Sequence, residues 1–569
     1  VTAPVESIVP GPVPVPVPVH GAGPPEPAAT FVARVGKTGR TLVFLMAFAA
    51  LAQWAPVPET VAPWVRWLPD DLSQIIPRFL RFEPDALPWE VEGGAGLTEA
   101  APEAVDDAAL LALAAPEAVT TGTPAPVAGL TSGPPASSTP GPSRPPAATP
   151  IPLVQPYETD TPLPPAPPVR DLGNGLNLVP IEDPHGVMAR FYDALARTAA
   201  GQGQTRVVHY GDSLITGDYI TQTLRRLLQK KFGDAGHGFV LGGLTSPWYR
   251  RNNLDLSTSD DWHVNRITRP QLADGTYGLG AVSFRSETPG SWVQYAPRDQ
   301  NGKPDGTGTD GDDAAPRLNQ NIGRIRVFAW GGPRAAGYEL RIDGEVAGRV
   351  EARQPTEGPV FAQFDVPDGP HKVRLTTVGG GVARLFGVAL ERTTPGVIYD
   401  SLGVDGTRAK ILRFFDAQHW YGQLRERDPQ LLVLHYGTNE GEAADLGTKN
   451  YREDLLPVVR GLRAGLPHVP CLLVGPMDRA DKNEAGELVS RPVVQRITDV
   501  QRRVAYMAGC AFFDTFRAMG GEGSMAKWYR SRLGGGDMTH PTRLGADRIG
   551  ALIFTSLMDG YKRHRPGSP

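Results

Sequence analysis

The segment Val207-Val208-His209-Tyr210-Gly211-Asp212-Ser213-Leu214 constrains this chain more than any other. A short apolar run stops at Gly-Asp-Ser-Leu. An amphipathic pattern follows over residues 218–232, with Ile220, Leu224, Leu227 and Leu228 on one face. That order predicts a strand, a tight turn and a helix, and it puts the Ser213 hydroxyl at the carboxyl end of a strand beside a helix N-terminus. Ligands bind in that crevice in open α/β sheets, and helix N-terminal amides favour an anion there. Alone, the motif reads equally well as a turn in which Asp212 and Ser213 cap the helix. A serine becomes a nucleophile only beside a base, so the rest of the chain decides.

A base is available near the far end. Asp537-Met538-Thr539-His540 follows a glycine-rich loop and precedes a helical pattern over 543–559. An Asp three residues before a His on irregular backbone can accept the Nδ1 proton, fix the tautomer and leave Nε2 for Ser213. Between the two motifs, Leu431-Leu432-Val433-Leu434-His435-Tyr436-Gly437-Thr438-Asn439-Glu440 is another apolar strand that ends in Gly and a polar side chain. The Asn439 amide is a suitable oxyanion donor, because it carries no proton that the chemistry would remove. His209 and His435 sit at strand ends without metal-ligand spacing to another His, Cys or acid, so packing is the expected role of both. Trp248, Arg250 and Arg251 fall in a Pro-containing loop and read either as the lining of a sugar cleft or as solvated loop residues.

Ser213, Asn439 and the Asp537-x-x-His540 pair, in that order, resemble the SGNH (GDSL-type) hydrolase family. The resemblance implies that Ser213 is the nucleophile, that Asp537 and His540 are the base pair, and that Asn439 and the Ser213 N–H belong to an oxyanion hole. The remaining donor would be a glycine N–H. Gly406 in Leu402-Gly403-Val404-Asp405-Gly406-Thr407 is the first candidate and Gly403 the second. Glu440 stands where the family usually has Asp. Further runs narrow the likeness: Phe232-Gly233-Asp234-Ala235-Gly236-His237-Gly238-Phe239, then Trp262, Gly278-Leu279-Gly280-Ala281-Val282-Ser283-Phe284-Arg285, and Tyr399-Asp400-Ser401 before Leu402. This layout is similar to bacterial peptidoglycan O-acetylesterases that hold a carbohydrate-binding-like module inside the SGNH domain. It implies an exported serine esterase, a carboxylic ester hydrolase that removes O-acetyl groups from a cell-envelope polysaccharide such as peptidoglycan. No cofactor and no metal are implied. An O-acetyltransferase acting on the same glycan and a non-catalytic glycan-binding wall protein are the alternatives.

The expected fold is α/β: a three-layer α/β/α domain with a parallel sheet, interrupted by an antiparallel β-sandwich and preceded by a disordered, Pro-rich N-terminal region. The catalytic domain is expected over residues 183–289 and 397–565. Alternating runs such as Arg324-Ile325-Arg326-Val327-Phe328-Ala329-Trp330 place the sandwich at 290–396. Its Asp/Gly-rich loop, with Asp305, Asp310, Asp312 and Asp313, does not match an EF-hand and reads as a flexible loop. Residues 41–57 are apolar and follow Arg34, Lys37 and Arg40. They read as a signal-peptide core or a short membrane anchor that puts the bulk of the chain outside the cytoplasm, in a periplasm or cell envelope. Residues 1–40 are a Pro-rich tail beginning with Val1, for which a start at Val32 or Val35 is the expectation, and 58–182 read as a Pro/Ala-rich linker. A net charge of −4 leaves no basic footprint for nucleic acid. Cys471 and Cys510 are expected as two buried free thiols, with a disulfide as the alternative in an exported protein.

Overall fold

A computed structural model of the protein describes residues 104–114, 157–173, 175–268, 271–298 and 318–564. The tail 1–40, the apolar run 41–57, most of the 58–182 segment and the Asp/Gly loop at 305–313 lie outside the described residues. Among the described residues no helix is long and apolar enough to cross a membrane.

Five apolar runs form one parallel sheet: β1 (Gln204–Gly211), β2 (Gly396–Gly403), β3 (Leu431–His435), β4 (Cys471–Val474) and β5 (Ala511–Phe513), in the order β2-β1-β3-β4-β5. Such strands are covered on both faces, which is why they read as continuous apolar runs rather than alternating ones. Within β1, Val207 joins one apolar cluster and Val208 and Tyr210 the other. The first cluster draws on helices α1 (Ala189–Ala199), α2 (Tyr219–Phe232) and, at the end of the chain, Arg543–Arg563. The second draws on α3 (Thr448–Gly465) and α4 (Pro492–Ala508). We call the last helix, Arg543–Arg563, α5. From β1 the chain order leaves to β2 on one side and to β3 on the other. A crevice therefore opens between the carboxyl ends of β1 and β3, where open α/β sheets bind ligands.

Two antiparallel sheets lie between β1 and β2 in chain order. One has five strands, 345–350, 337–342, 373–378, 292–297 and 254–258. The other runs 358–369, 322–331, 383–391, 282–286 and 263–266, with Gly236–Leu241 also paired to Ala383–Glu391. The antiparallel strands thus begin at Gly236, well before residue 290. The first of them escapes a search for alternation because Gly236–Leu241 is buried at every position. Buried charges join these strands to the parallel sheet. Arg427, at the end of the helix Ala417–Arg427, reaches Asp400 of β2 at 2.9 Å and Glu391 at 2.6 Å, all three side chains fully buried. Arg206 of β1 adds a second cation to Glu391 at 3.2 Å. Removing one partner would strand a buried charge, typically at a cost of about 3–5 kcal/mol.

The linker expected over 58–182 is not free where it is described. Asp107–Leu113 is a helix with Leu110 buried, and Asp107 pairs with Lys230 of α2 at 2.8 Å. Residues 157–182 are strapped down by arginines. Arg503 donates to the carbonyls of Thr159 and Thr161, Arg502 to Pro164 and Arg517 to Pro167, at 2.7–2.8 Å. Glu182 exchanges backbone hydrogen bonds with Phe512 on the edge strand β5. A Pro-rich stretch offers many carbonyls without matching N–H groups, and guanidinium donors satisfy them here.

The expectation of free thiols is corrected: Cys471 and Cys510 form a disulfide, with Cα atoms 4.9 Å apart. β4 and β5 are neighbours with Leu472 opposite Ala511, so the two residues just before that pair face each other. Cys471 in an apolar run and Cys510 just before another suggested buried, inert thiols; the strand order that pairs them is not readable locally.

Candidate active site

Gly211 ends β1. A Cβ there would collide with the side chain of Ile215 in the turn that follows. Asp212 caps the short helix Ser213–Thr216, its Oδ1 accepting from Leu214 N–H at 3.1 Å. The capping geometry leaves Ser213 at the helix start with its hydroxyl turned to the Asp537–His540 loop. Ser213 Oγ lies 2.8 Å from His540 Nε2, and His540 Nδ1 lies 2.6 Å from Asp537 Oδ2. The other Asp537 oxygen accepts the backbone N–H groups of Thr539 (3.0 Å) and His540 (2.9 Å). Burial would raise the Asp537 carboxyl, but its bond to His540 and these N–H groups outweigh that and hold it below the ordinary range. An ionised Asp537 keeps the Nδ1 proton of His540 and leaves Nε2 to take the Ser213 proton. The loop is braced by Gly535 N–H to His540 O (2.7 Å) and Ala480 N–H to Met538 O (3.2 Å), and Thr542 caps α5 directly after it.

Asn439 follows β3 across the crevice. Its Nδ2 donates to Thr407 O at 2.8 Å, which leaves the second amide proton for a ligand. Thr407 follows Gly406, so the Asn439 side chain is latched to the loop that carries the candidate glycine. The two glycines differ. A Cβ on Gly403 would be driven into the backbone of Ile215 and Thr216, so this glycine permits close packing beneath the Ser213 turn. Gly406 has φ +72° with open space around it, in an exposed turn. Ser213, His540 and Asp537 form one hydrogen-bonded chain, and Asn439, after β3, is bonded to the separate loop after β2 that carries Gly406.

The sequence reading did not single out Arg479. Its guanidinium is buried and donates to Thr438 O (2.6 Å), to Glu442 Oε1 (2.6 Å) and to Thr539 Oγ1 (3.1 and 3.2 Å). One side chain therefore ties the residue before Asn439 to the residue before His540. A lone Arg in the loop after β4 carries no local signal of this.

Two buried carboxyls flank the site. Burial pushes Glu440 up to about 7 against the pull of the Ala409 N–H it accepts at 2.9 Å, and the charge of Asp212 adds to the rise. Burial likewise holds Asp212 at about 6. An unfolded Glu titrates at about 4.3. The penalty from Glu440 is therefore absent below about pH 4, grows as pH rises, and is complete above about pH 7, on the order of 3–4 kcal/mol. Glu440→Gln keeps an acceptor for Ala409 and has no charge to bury. Its melting temperature should exceed that of the wild type at pH 8, with the gap closing by pH 4. An equal gap at both pH values would mean that Glu440 is not the titrating group.

His209 and His435 stack with ring centroids 5.5 Å apart, and His209 Nδ1 meets the Tyr399 hydroxyl at 2.8 Å. Burial pushes both rings well below the usual imidazole range, so they pack as neutral groups. Among the described residues no three His, Cys, Asp or Glu side chains gather as a metal would require. Arg251 is no cleft residue: it is buried, 3.3 Å from Asp218, and donates to the carbonyls of Tyr399 and His237. Arg250 donates to Pro247 O at 2.7 Å, and Trp248 is exposed.

Residues 369–548 match the model of the GDSL-like lipase/acylhydrolase family. Among solved structures, a peptidoglycan O-acetylesterase is similar with a TM-score of 0.53 and 21% identity, over 66% of this chain and 96% of that one. The Bacillus subtilis protein YxiM matches with a TM-score of 0.27 and 13% identity, over 57% of this chain and 98% of its own. A family two carbohydrate esterase from Clostridium thermocellum, solved with cellohexaose, has a TM-score of 0.22 and 12% identity over 54% and 98%. No curated protein matches the sequence. The first of these likenesses establishes a shared fold.

Proposed function

We propose, from the premise that this chain carries a GDSL-like lipase/acylhydrolase domain and is a carboxylic ester hydrolase, that it removes O-acetyl groups from a cell-envelope polysaccharide, peptidoglycan before others. The observation that carries this reading is the unbroken chain from Asp537 through His540 to Ser213, with Asn439 on the adjoining loop. His540 Nε2 takes the Ser213 proton as Oγ attacks the acetyl carbonyl. The Ser213 and Gly406 N–H groups and the Asn439 amide hold the resulting oxyanion. His540 then returns the proton to the departing sugar oxygen. Water, activated by the same imidazole, releases acetate from the acyl-serine.

Export to the periplasm or cell envelope belongs to the same proposal. The apolar run at 41–57 behind three basic residues supports it, as does the Cys471–Cys510 disulfide, since such bonds persist in oxidising compartments. The test is acetate release from O-acetylated peptidoglycan against acetylated xylan. The expected kcat/KM is at least about tenfold higher on peptidoglycan, a difference of roughly 1.4 kcal/mol. Equal rates, or a preference for xylan, would remove peptidoglycan as the target.

A further inference from the structure

The residue just before each active-site side chain belongs to one polar chain. Asp212 precedes Ser213, Thr438 precedes Asn439, and Thr539 precedes His540. Burial raises the Asp212 carboxyl, and the Leu214 N–H and the hydroxyl and N–H of Thr438 oppose that rise, so Thr438 meets the Ser213 turn. Arg479 meets the other two. Its Nη1 donates to Thr438 O at 2.6 Å, and its Nε and Nη2 both donate to Thr539 Oγ1, at 3.2 and 3.1 Å. The Thr539 hydroxyl in turn donates to Asp537 O at 3.1 Å. The turns after β1 and β3 and the loop before α5 are therefore joined around one guanidinium.

Arg479 is itself anchored. Its backbone carbonyl accepts from Arg491 N–H at 2.8 Å, and the N–H of the next residue, Ala480, donates to Met538 O in the His540 loop at 3.2 Å. On the other side, the Asp478 carboxyl accepts from Ser490 Oγ and from Met525 N–H, both at 2.8 Å. The guanidinium is buried, and its pair with Glu442 at 2.6 Å turns Nη2 towards the rim of the site. Gly441 leaves it room, since a Cβ there would stand 3.2 Å from Nη1. A guanidinium carries its donors in one rigid plane, whereas a lysine ammonium is a point charge on a flexible stem. Only the planar fork can meet the Thr438 carbonyl and the Thr539 hydroxyl together in fixed directions.

We propose that Arg479 is a positioning residue for ester hydrolysis, setting Asn439 and His540 in register with Ser213. It touches neither the substrate nor the reacting atoms and acts through Thr438 and Thr539. The proposal rests on the reading of Ser213, Asn439 and His540 as an esterase site and is independent of the polymer that carries the ester. The oxyanion donor and the base stand on separate turns, and loss of the side chain that joins them lets each drift. A misplacement of about 1 Å costs on the order of 10²-fold in rate. Both groups act most strongly in the transition state, so the loss falls on kcat and spares KM.

Hydrolysis of 4-nitrophenyl acetate by the full chain, with melting curves beside it, tests this. Arg479→Met should lower kcat by about 10²-fold and change KM by less than about twofold. Arg479→Lys should lose nearly as much, because the charge survives and the fork does not. Thr539 is only half-buried, so Thr539→Val should melt like the wild type even where the Arg479 variants do not. It should lose about tenfold in kcat, the effect of one charge-assisted hydrogen bond, and Thr539→Ser should recover most of that. Arg479→Met placed on Thr539→Val should cost less than on the wild type, because the two side chains share a contact. Wild-type kcat in Thr539→Val, independent losses in the double variant, or a raised KM with unchanged kcat would each overturn the proposal. The same assay on the wild type and on Ser213→Ala separates it from the reading beneath it. No hydrolysis by the wild type, or equal hydrolysis after Ser213→Ala, refutes the esterase site and the positioning role together. Hydrolysis that needs Ser213 and ignores Arg479 and Thr539 refutes the positioning role alone.

Discussion

Ser213→Ala should lower kcat on an acetyl ester by on the order of 10⁵–10⁶-fold and abolish labelling by a fluorophosphonate. The size follows from the geometry. Ser213 Oγ, His540 Nε2, His540 Nδ1 and Asp537 Oδ2 are linked by contacts of 2.8 and 2.6 Å, so the three side chains act as one unit. Residues that act as a unit give strongly non-additive losses. His540→Ala should therefore cost nearly as much as Ser213→Ala, and the double variant little more than either. Activity of roughly 10³–10⁴-fold over water should remain, supplied by the oxyanion donors and by binding. Asp537→Asn should cost less than the other two, because His540 and Ser213 survive and only the orientation of the ring is lost. Persistent labelling of Ser213→Ala would place the nucleophile elsewhere. Additive losses in the double variant would mean that the 2.8 Å contact is not the route of the proton.

What the sequence exposes and what it hides divides along physical lines. The strands at 207–210, 431–434, 471–474 and 511–513 are legible because a strand covered on both faces must be apolar throughout. Ser213 and Asn439 are legible because each stands just past a glycine, Gly211 or Gly437, at which the chain turns out of such a strand. The Asp537–His540 spacing is local and reads directly. Arg479 was hidden because its partners Thr438 and Thr539 are 41 and 60 residues away in the chain and are met through a carbonyl and a hydroxyl, which carry no pattern. The disulfide was hidden for the same reason: it depends on β4 lying beside β5. The strapping of 157–182 runs through main-chain carbonyls of a Pro-rich segment, whose composition gives no sign of the arginines that hold it.

Asn439→Ala should reduce kcat by about 10²–10³-fold, the usual loss of one oxyanion donor, or about 2.7–4 kcal/mol of transition-state stabilisation. KM should change little, because the charge that the amide meets exists only after Ser213 has attacked. The Asn439–Thr407 bond sharpens this expectation. With one amide proton fixed on Thr407 O, the other is preset in direction and needs no reorganisation when the oxyanion forms. Asn439→Asp tests that point. It conserves shape but has no proton to offer, sets an acceptor against the Thr407 carbonyl, and brings a negative charge near the developing oxyanion. Its loss should exceed that of Asn439→Ala, although the alanine removes more atoms. If packing of the 404–407 loop were the whole role of Asn439, the order would reverse, and a rise in KM with unchanged kcat would assign it to ground-state binding. Ser213→Ala, Asn439→Ala and Asn439→Asp, compared on one acetyl ester with melting curves as the control for folding, would separate the nucleophile from the electrostatic support it depends on.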